Sequence, residues 1–420
     1  MIVETLLTRF LRRLNQEYLT FRQFDRIEVP RGLPGREYLL YVHVPFCEQL
    51  CPYCSFNRYP LNVPLARRYF AALRREIDWY RDQDYRFTGV YVGGGTPTVL
   101  PDELAAVLAQ IRDLYPVREI SVETNPNHLT DEIVQTLKDA GVNRLSVGVQ
   151  SFDDDLLRAM ERYHKYGSGA EIEARLRQYL GVFDTLNVDM IFNFPTQTRE
   201  TMIRDLEIID RLPADQVTFY PLMASTATEK AIRKTLGKVD YRQEKRFYRL
   251  ILERLGANYT PGSAWCFSRK RSMIDEYIVD YDEYLGVGSG SFSYVHGNIL
   301  SNTFSVPAYC AALEDGRLPV TAKKEFTLIE RMRYDFLMKL FGTRLDRRQL
   351  RRKYGSLFEE KLWQEIALFR LLGALRLTGD EMVLTPKGMY YWVIMMREFF
   401  IGVNNFRDLC RSRINGETQQ

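Results

Sequence analysis

Between about Arg36 and Leu222 the sequence alternates short apolar runs with longer stretches of helical period, six times in succession. Residues 39–44 read as a first strand, and residues 64–82 as a helix with Tyr69, Phe70, Leu73 and Ile77 on one face. Further strands are predicted at 87–92, 119–123, 142–149, 186–192 and 216–222. Between them fall helices at 101–114, 130–140, 154–160 with 170–180, and 199–211. Pro101-Asp102-Glu103 places acids in a first turn, Thr130 stands at an N-cap, and Gly141 ends that helix. Strands joined through helices form a parallel sheet with the helices on its faces. Six such units predict an α/β fold: a partial (β/α)6, TIM-like barrel rather than the closed eight. An open barrel leaves a lateral mouth for a large substrate. In parallel barrels the chemistry gathers at the C-terminal strand ends, which directs attention to what each strand ends in.

The first strand runs into Tyr41-Val-His-Val-Pro-Phe-Cys47-Glu-Gln-Leu-Cys51-Pro-Tyr53-Cys54, three cysteines spaced C-x3-C-x2-C on a loop. Soft thiolates select iron–sulfur over hard metals. Three ligands instead of four leave one iron of a [4Fe–4S] cluster free for a small molecule, as a catalytic zinc keeps an open position. A structural zinc site would need a fourth Cys or His at finger spacing. His43 is near but lies on the strand, and no second C-x2-C follows. A disulfide framework would leave one thiol over. The second strand ends in Gly93-Gly94-Gly95-Thr96-Pro97, where backbone can approach a ligand closely, or simply turn. The third ends in Glu123-Thr-Asn-Pro126; its carboxylate suits a cationic amine or ribose hydroxyls, or a salt bridge inside the barrel. The fourth ends in Gly148-Val-Gln150. The fifth carries Asp189, a buried acid that needs a partner, for which Arg162 on the following helix is the candidate.

C-x3-C-x2-C after a strand, with Tyr53 just before the last cysteine, resembles the signature of the radical S-adenosylmethionine (SAM) enzymes. The longer string Tyr41-Val-His-Val-Pro-Phe-Cys47, followed by Cys54-Ser-Phe, resembles the branch holding the oxygen-independent coproporphyrinogen III oxidases, their related haem chaperones and the class C methylases. The likeness covers about Glu37–Leu222 closely and 284–292 less so. It implies a [4Fe–4S] cluster on Cys47, Cys51 and Cys54, its open iron bound by SAM, and cleavage of SAM to methionine and a 5′-deoxyadenosyl radical. Tyr41, Gly94 and Glu123 match the family's contacts to the cleaved SAM, with Phe292 of the glycine-rich run 284–292 closing over it. Tyr53, Gly95, Thr96, Gln150, Arg162 and Asp189 match contacts to a second SAM, and Met223 is a further cofactor contact by position. The departures are specific. Phe56 stands where the oxidase has a fourth cysteine, and the oxidase's N-terminal arm has no counterpart. The chaperone's His-Asn…Tyr-Trp element is not evident. The resemblance thus implies a paralogue that keeps the two-SAM residues. It would act as a methylase or haem-modifying enzyme on a tetrapyrrole or other flat apolar substrate. The alternatives are the decarboxylating oxidase or a haem carrier.

The rest of the chain fits that reading. At 420 residues it holds a sizeable core. A net charge of +4 is too small to argue for nucleic acid. Three further cysteines, Cys266, Cys310 and Cys410, read as core thiols, and the usage fits a reducing cytoplasm. His164 and His296 read as structural, His128 as a loop residue. No apolar run approaches the roughly eighteen residues of a membrane-spanning helix. Residues 1–36 read as a helical extension with Leu6, Leu7, Phe10, Leu11 and Leu14 on one face, 37–225 as the partial barrel, and 226–305 as a segment completing it. Residues 224–238 read as a loop. Residues 306–420 read as a mainly helical, winged-helix-like domain over the substrate cleft. The basic run 347–353 is a solvated face or a dock for an acidic electron donor of flavodoxin or ferredoxin type. The aromatic stretch Tyr390 to Phe406 is core or a wall for a flat substrate. A monomer is expected.

Overall fold

The structure, a computed structural model, describes residues 4–5, 7–9, 12, 22–23, 27–270 and 277–417. Most of the expected N-terminal helix, including Leu6, Phe10, Leu11 and Leu14, lies outside the described residues.

The six expected strands are β1 (Glu37–Val44), β2 (Arg86–Gly94), β3 (Glu119–Thr124), β4 (Arg144–Gln150), β5 (Thr185–Phe192) and β6 (Gln216–Pro221). They pair in sequence order, each parallel to the next. Nearly every residue of these strands is buried, as expected for a parallel barrel sheet with helices outside and a filled interior. A seventh parallel strand, β7 (Tyr284–Val287), lies on the other side of β1 with Tyr284 opposite Leu39. The glycine-rich run therefore begins as part of the sheet. Beyond it Phe292–Val295, Asn298–Asn302 and Val320–Glu325 continue antiparallel, and on the far side Cys266–Ser268 adds antiparallel to β6. Among the described residues the sheet has 13 strands and stays open.

The helices follow the predicted stripes. The helix Val63–Trp79 buries Tyr69, Phe70, Leu73 and Ile77 and is capped by Asn62. Thr130 caps Asp131–Asp139 through its side chain, and Thr198 caps Arg199–Arg211. One expectation fails: residues 224–238 are not a loop but hold a helix, Thr226–Thr235, capped by Ser225. Only Ile232 is buried along it, so it carries no apolar stripe for a sequence reading to find.

The C-terminal part is mainly helical, with Leu328–Phe341, Arg347–Tyr354 and Trp363–Leu371 beside a wing of Leu375–Thr378 and Glu381–Leu384. A short strand, Arg344–Asp346, adds a third member. The last helix, Pro386–Glu417, crosses from this part toward the barrel. Its first half is core: Tyr391, Trp392, Val393 and Ile394 are all buried. Midway, Arg397 reaches both carboxylate oxygens of Glu244 on the helix Tyr241–Leu255, and Glu398 Oε1 at 2.9 Å. Tyr390 donates to Glu244 at 3.1 Å, and Arg12 Nε holds the other Glu398 oxygen at 2.7 Å. Arg397, Glu244 and Glu398 are fully buried while Arg12 is half exposed, and such a network persists only while every buried member keeps its partner.

Arg397→Ala would strand Glu244 and Glu398 in the interior and should cost about 3–5 kcal/mol in urea unfolding. Adding Glu244→Gln to that variant should recover part of the loss. A single variant as stable as the parent would show that the network does not pin this helix.

Candidate active site

Beyond the ends of β1 and β2 the backbone keeps pairing. Gly95 N–H donates to Val44 O at 2.8 Å and Thr96 N–H to Phe46 O at 2.7 Å. The glycine loop is thereby laid along the cysteine loop. A Cβ on Gly95 would sit 2.5 Å from the Phe46 carbonyl, and Gly94 adopts a φ of 120° that suits glycine alone. His43 underlies both. Its Nε2 bonds the Asn57 carbonyl at 3.0 Å, so Nδ1 accepts from Tyr41 OH at 2.9 Å. Burial pushes its pKa down to about 4. A neutral imidazole with both nitrogens engaged is no metal ligand, which removes the sequence argument for a zinc site.

Four side chains link the cysteine loop to the strand ends. Thr96 Oγ1 lies 3.7 Å from Cys47 Sγ and accepts from Asn125 Nδ2 at 2.7 Å. Asn125 Oδ1 in turn accepts from Arg162 Nη2 at 3.3 Å. Arg162 also donates to the Gly148 carbonyl and to Tyr53 OH, and Nη1 points at Cys51 Sγ from 3.8 Å. Lys165 Nζ approaches the same sulfur at 3.8 Å. Arg162 is thus not the partner of Asp189, as the sequence suggested. The helix Asp154–Ala159 ends before it, and the turn through Glu161, at φ 57°, swings it toward the cysteines instead. His128, expected in a loop, is buried in a short 3₁₀ turn and bonded to Thr98 at 2.7 Å.

The acids sit on the opposite side of the strand ends. Glu123 accepts from Tyr91 OH at 2.9 Å and from Gly94 N–H at 3.1 Å; burial raises its pKa. Asp189 accepts from Ser146 Oγ at 2.8 Å and Asn187 Nδ2 at 2.7 Å. Burial, then the nearby Glu123 charge, pushes it up to about 7. Gln150, at a bulge in β4, is held at φ 76°, and its Oε1 is buried with no partner. That strain is fixed from behind, because Asp205 grips the next two residues through Ser151 Oγ at 2.8 Å and Phe152 N–H at 2.7 Å.

One cavity of about 360 Å³ collects these groups. Cys47, Cys51, Cys54, Tyr41, Tyr53, Gly94, Gly95, Thr96, Glu123, Gln150, Arg162, Asp189 and Phe292 all line it, as does Met223. Its far wall is apolar and was only half expected: Phe399, Phe400 and Val403 of the last helix, with Trp265, Tyr334 and Ile299. The aromatic stretch Tyr390 to Phe406 divides along its length, core first and wall afterwards. Sequence reasoning missed Asn125, although it quoted the run containing it. It also missed Asn404 and Arg407, which follow where the aromatic stretch thins out. Cys266 and Cys310 are core thiols as expected; Cys410 is half-buried.

The donor set fits a cluster. Three free cysteines face one cavity, and a hydroxyl, a guanidinium and an ammonium lie 3.7–3.8 Å from two of the sulfurs. Such donors stabilise thiolate charge. Among the described residues no three Cys, His, Asp or Glu side chains are gathered around a single point as for one ion. Burial and the neighbouring Cys54 push the Cys47 thiol up to about 12, so iron must displace its proton.

Residues 41–209 match the family model described as Radical SAM superfamily. The chain carries a radical SAM domain, which implies a [4Fe–4S] cluster and SAM. Its homologues are named haem chaperone HemW and oxygen-independent coproporphyrinogen III oxidase. To the heme chaperone HemW of Bacillus subtilis it is 29% identical over 329 residues, 75% of this chain and 86% of that protein. To the oxygen-independent coproporphyrinogen III oxidase of Cereibacter sphaeroides it is 28% identical over 307 residues, 67% of each. The fold matches the solved coproporphyrinogen III oxidase (HemN) of Escherichia coli, a radical SAM enzyme. That match has a TM-score of 0.73 and 22% identity, over 87% of this chain and 91% of that one.

Replacing any one of Cys47, Cys51 or Cys54 by Ala should abolish the roughly 400 nm cluster absorption and most bound iron after anaerobic reconstitution. The same change at Cys266 should leave both intact. A second expectation concerns pH. Burial pushes Glu76, Asp189 and Asp205 up to about 7. The folded chain keeps these protons where unfolded carboxyls, near about 4, have lost them. Stability should therefore fall as the pH rises from about 4 through about 7. Asp205→Asn should make that fall shallower in denaturation midpoints measured across this range; an unchanged slope would rule out a proton on Asp205.

Proposed function

We propose that this chain is a radical SAM enzyme acting on a tetrapyrrole or similarly flat, largely apolar substrate. The observation that carries this is a single cavity lined by the cysteine loop, the glycine loop and the strand-end acids together with a group of aromatic side chains. When bound, the cluster and SAM supply one-electron cleavage to a 5′-deoxyadenosyl radical. Cys47, Cys51 and Cys54 hold the cluster in this reading. Thr96, Arg162 and Lys165 orient and offset the charge of its sulfurs. The Gly94 backbone, Tyr41 and Glu123 seat the cleaved SAM, with Phe292 covering it. Glu123 and Asp189 give the site two carboxyls to receive cationic groups. The buried, unpartnered Gln150 Oε1 accepts from a ligand donor and, with Tyr53, Gly95, Thr96, Arg162 and Asp189, lines the place of a second SAM. Phe292, Phe399 and Phe400 exclude water beside the reacting centre. Two SAM molecules suit methyl transfer, one giving the radical and the other the methyl. The electron comes from a flavodoxin- or ferredoxin-type donor. The second reading, a haem carrier, draws on the relatives named HemW and on the same aromatic wall.

The test is anaerobic turnover of the reconstituted protein with SAM, a reductant, and haem or coproporphyrinogen, followed by mass spectrometry. Deoxyadenosine with S-adenosylhomocysteine is the expected outcome. Asp189→Asn or Gln150→Ala should then spare deoxyadenosine and cut methylated product by at least about tenfold. Deoxyadenosine with carbon dioxide release would identify the oxidase reaction. Haem binding without deoxyadenosine would establish the carrier and refute the enzyme.

A further inference from the structure

One charged group in the cavity has no role among the cofactor contacts. Arg407, near the end of the last helix, lines the cavity yet is only 5% exposed. Its Nη1 donates to Asn404 Oδ1 at 2.8 Å, and its guanidinium lies 5.6 Å from the Phe56 ring centroid. No other hydrogen bond or ion pair holds it among the described residues: Nε is buried without a partner, and only the through-space influence of Cys54, Asp408 and Tyr41 favours its charge. Guanidinium offers five N–H donors in a planar fork that fits a carboxylate. Burying it unpaired is costly, and burial pushes its pKa down to about 10. The other deeply buried arginines of the barrel and last helix have more acceptors, although Arg162 Nε is likewise buried without a partner. Arg144 donates to Gln216 and Ser121, Arg162 to Gly148 and Asn125, and Arg397 to Glu244 and Glu398. Arg58, on the same cavity, likewise has a buried Nη1 without a partner, its other nitrogens being spent on the Cys54 carbonyl.

We propose that Arg407 is the anchor for a carboxylate of the substrate, so that the molecule filling this cavity is flat and apolar but carries at least one acidic arm. The proposal rests on the flat-substrate reading above and narrows it. The aromatic wall from the same helix receives the ring face, while Arg407, held by Asn404, receives the carboxylate at the rim beside Phe56. An ion pair formed on binding satisfies a charge that the empty fold leaves wanting. Substrates lacking an acid then lose by more than the missing contact, because they leave the guanidinium unpaired.

The test uses the reconstituted holoprotein and two probes, coproporphyrin and its tetramethyl ester, titrated by absorbance and fluorescence. Arg407→Gln is expected to weaken coproporphyrin about tenfold or more and to leave the ester unchanged within about twofold. Arg407→Lys, which keeps the charge but not the fork, is expected to fall between. The Gln amide can still donate to Asn404 Oδ1, so the Gln variant should keep its thermal midpoint and its cluster absorption. If it does not fold, the Lys variant carries the same comparison, with the loss confined to coproporphyrin. Equal losses for acid and ester, or none for either, would overturn the proposal. So would a Gln variant whose binding of SAM, measured by equilibrium dialysis, falls while coproporphyrin binding holds; the guanidinium would then serve the cofactor. If neither porphyrin binds the parent protein while SAM is still cleaved, the flat-substrate reading itself fails and this proposal with it.

Discussion

The site depends on two backbone hydrogen bonds that carry the pairing of neighbouring strands past their ends, from Gly95 to Val44 and from Thr96 to Phe46. They lay the glycine loop against the cysteine loop with no side chain between them. All else in the cofactor half is arranged on that seam. Thr96 sits on it and faces a cysteine sulfur, Asn125 takes hold of Thr96, and Arg162 closes the chain back onto Tyr53 and the second cysteine. Because the seam is made of backbone, its position follows from strand register alone. The side chains upon it are free to be chosen for chemistry.

The parallel strands were legible because burial on both faces leaves them apolar throughout, and the helices because one face is buried and the other is not. The strand-end lining of the cavity was legible for a different reason. Its residues lie within a few positions of strand ends, so locating six strands located Glu123, Gln150 and Asp189 together. What the sequence hid were facts of direction. Arg162 follows Gln150 at a distance that permits several targets, and only the turn at Glu161 decides that it reaches the cysteines rather than Asp189. The helix Thr226–Thr235 hid because it is capped and charged but hardly buried. Arg407 hid because an isolated arginine in a helix reads as surface, and nothing local tells that a cavity waits on that side.

The electrostatics divide in the same way. Glu123 and Asp189 are acids whose burial favours the protonated state, relieved by hydrogen bonds from Tyr91, Gly94, Ser146 and Asn187. Asp205 belongs to this group chemically but not functionally. It lies behind the sheet and holds Ser151 and Phe152, so that Gln150 keeps a backbone conformation it would not choose alone. A buried acid well outside the cavity thus determines where an amide inside it points.

The last helix gives the two halves of the cavity separate origins. The cysteines, the glycine run and the strand-end acids come from the first half of the chain, whereas much of the apolar wall comes from a few turns of the last helix. Those turns follow the buried Arg397 network, which holds the helix without help from the wall. The two groups of lining residues therefore lie in stretches of sequence that can diverge independently. Exchanging residues 399–407 would recast that wall of the cavity while leaving the residues at the strand ends unchanged.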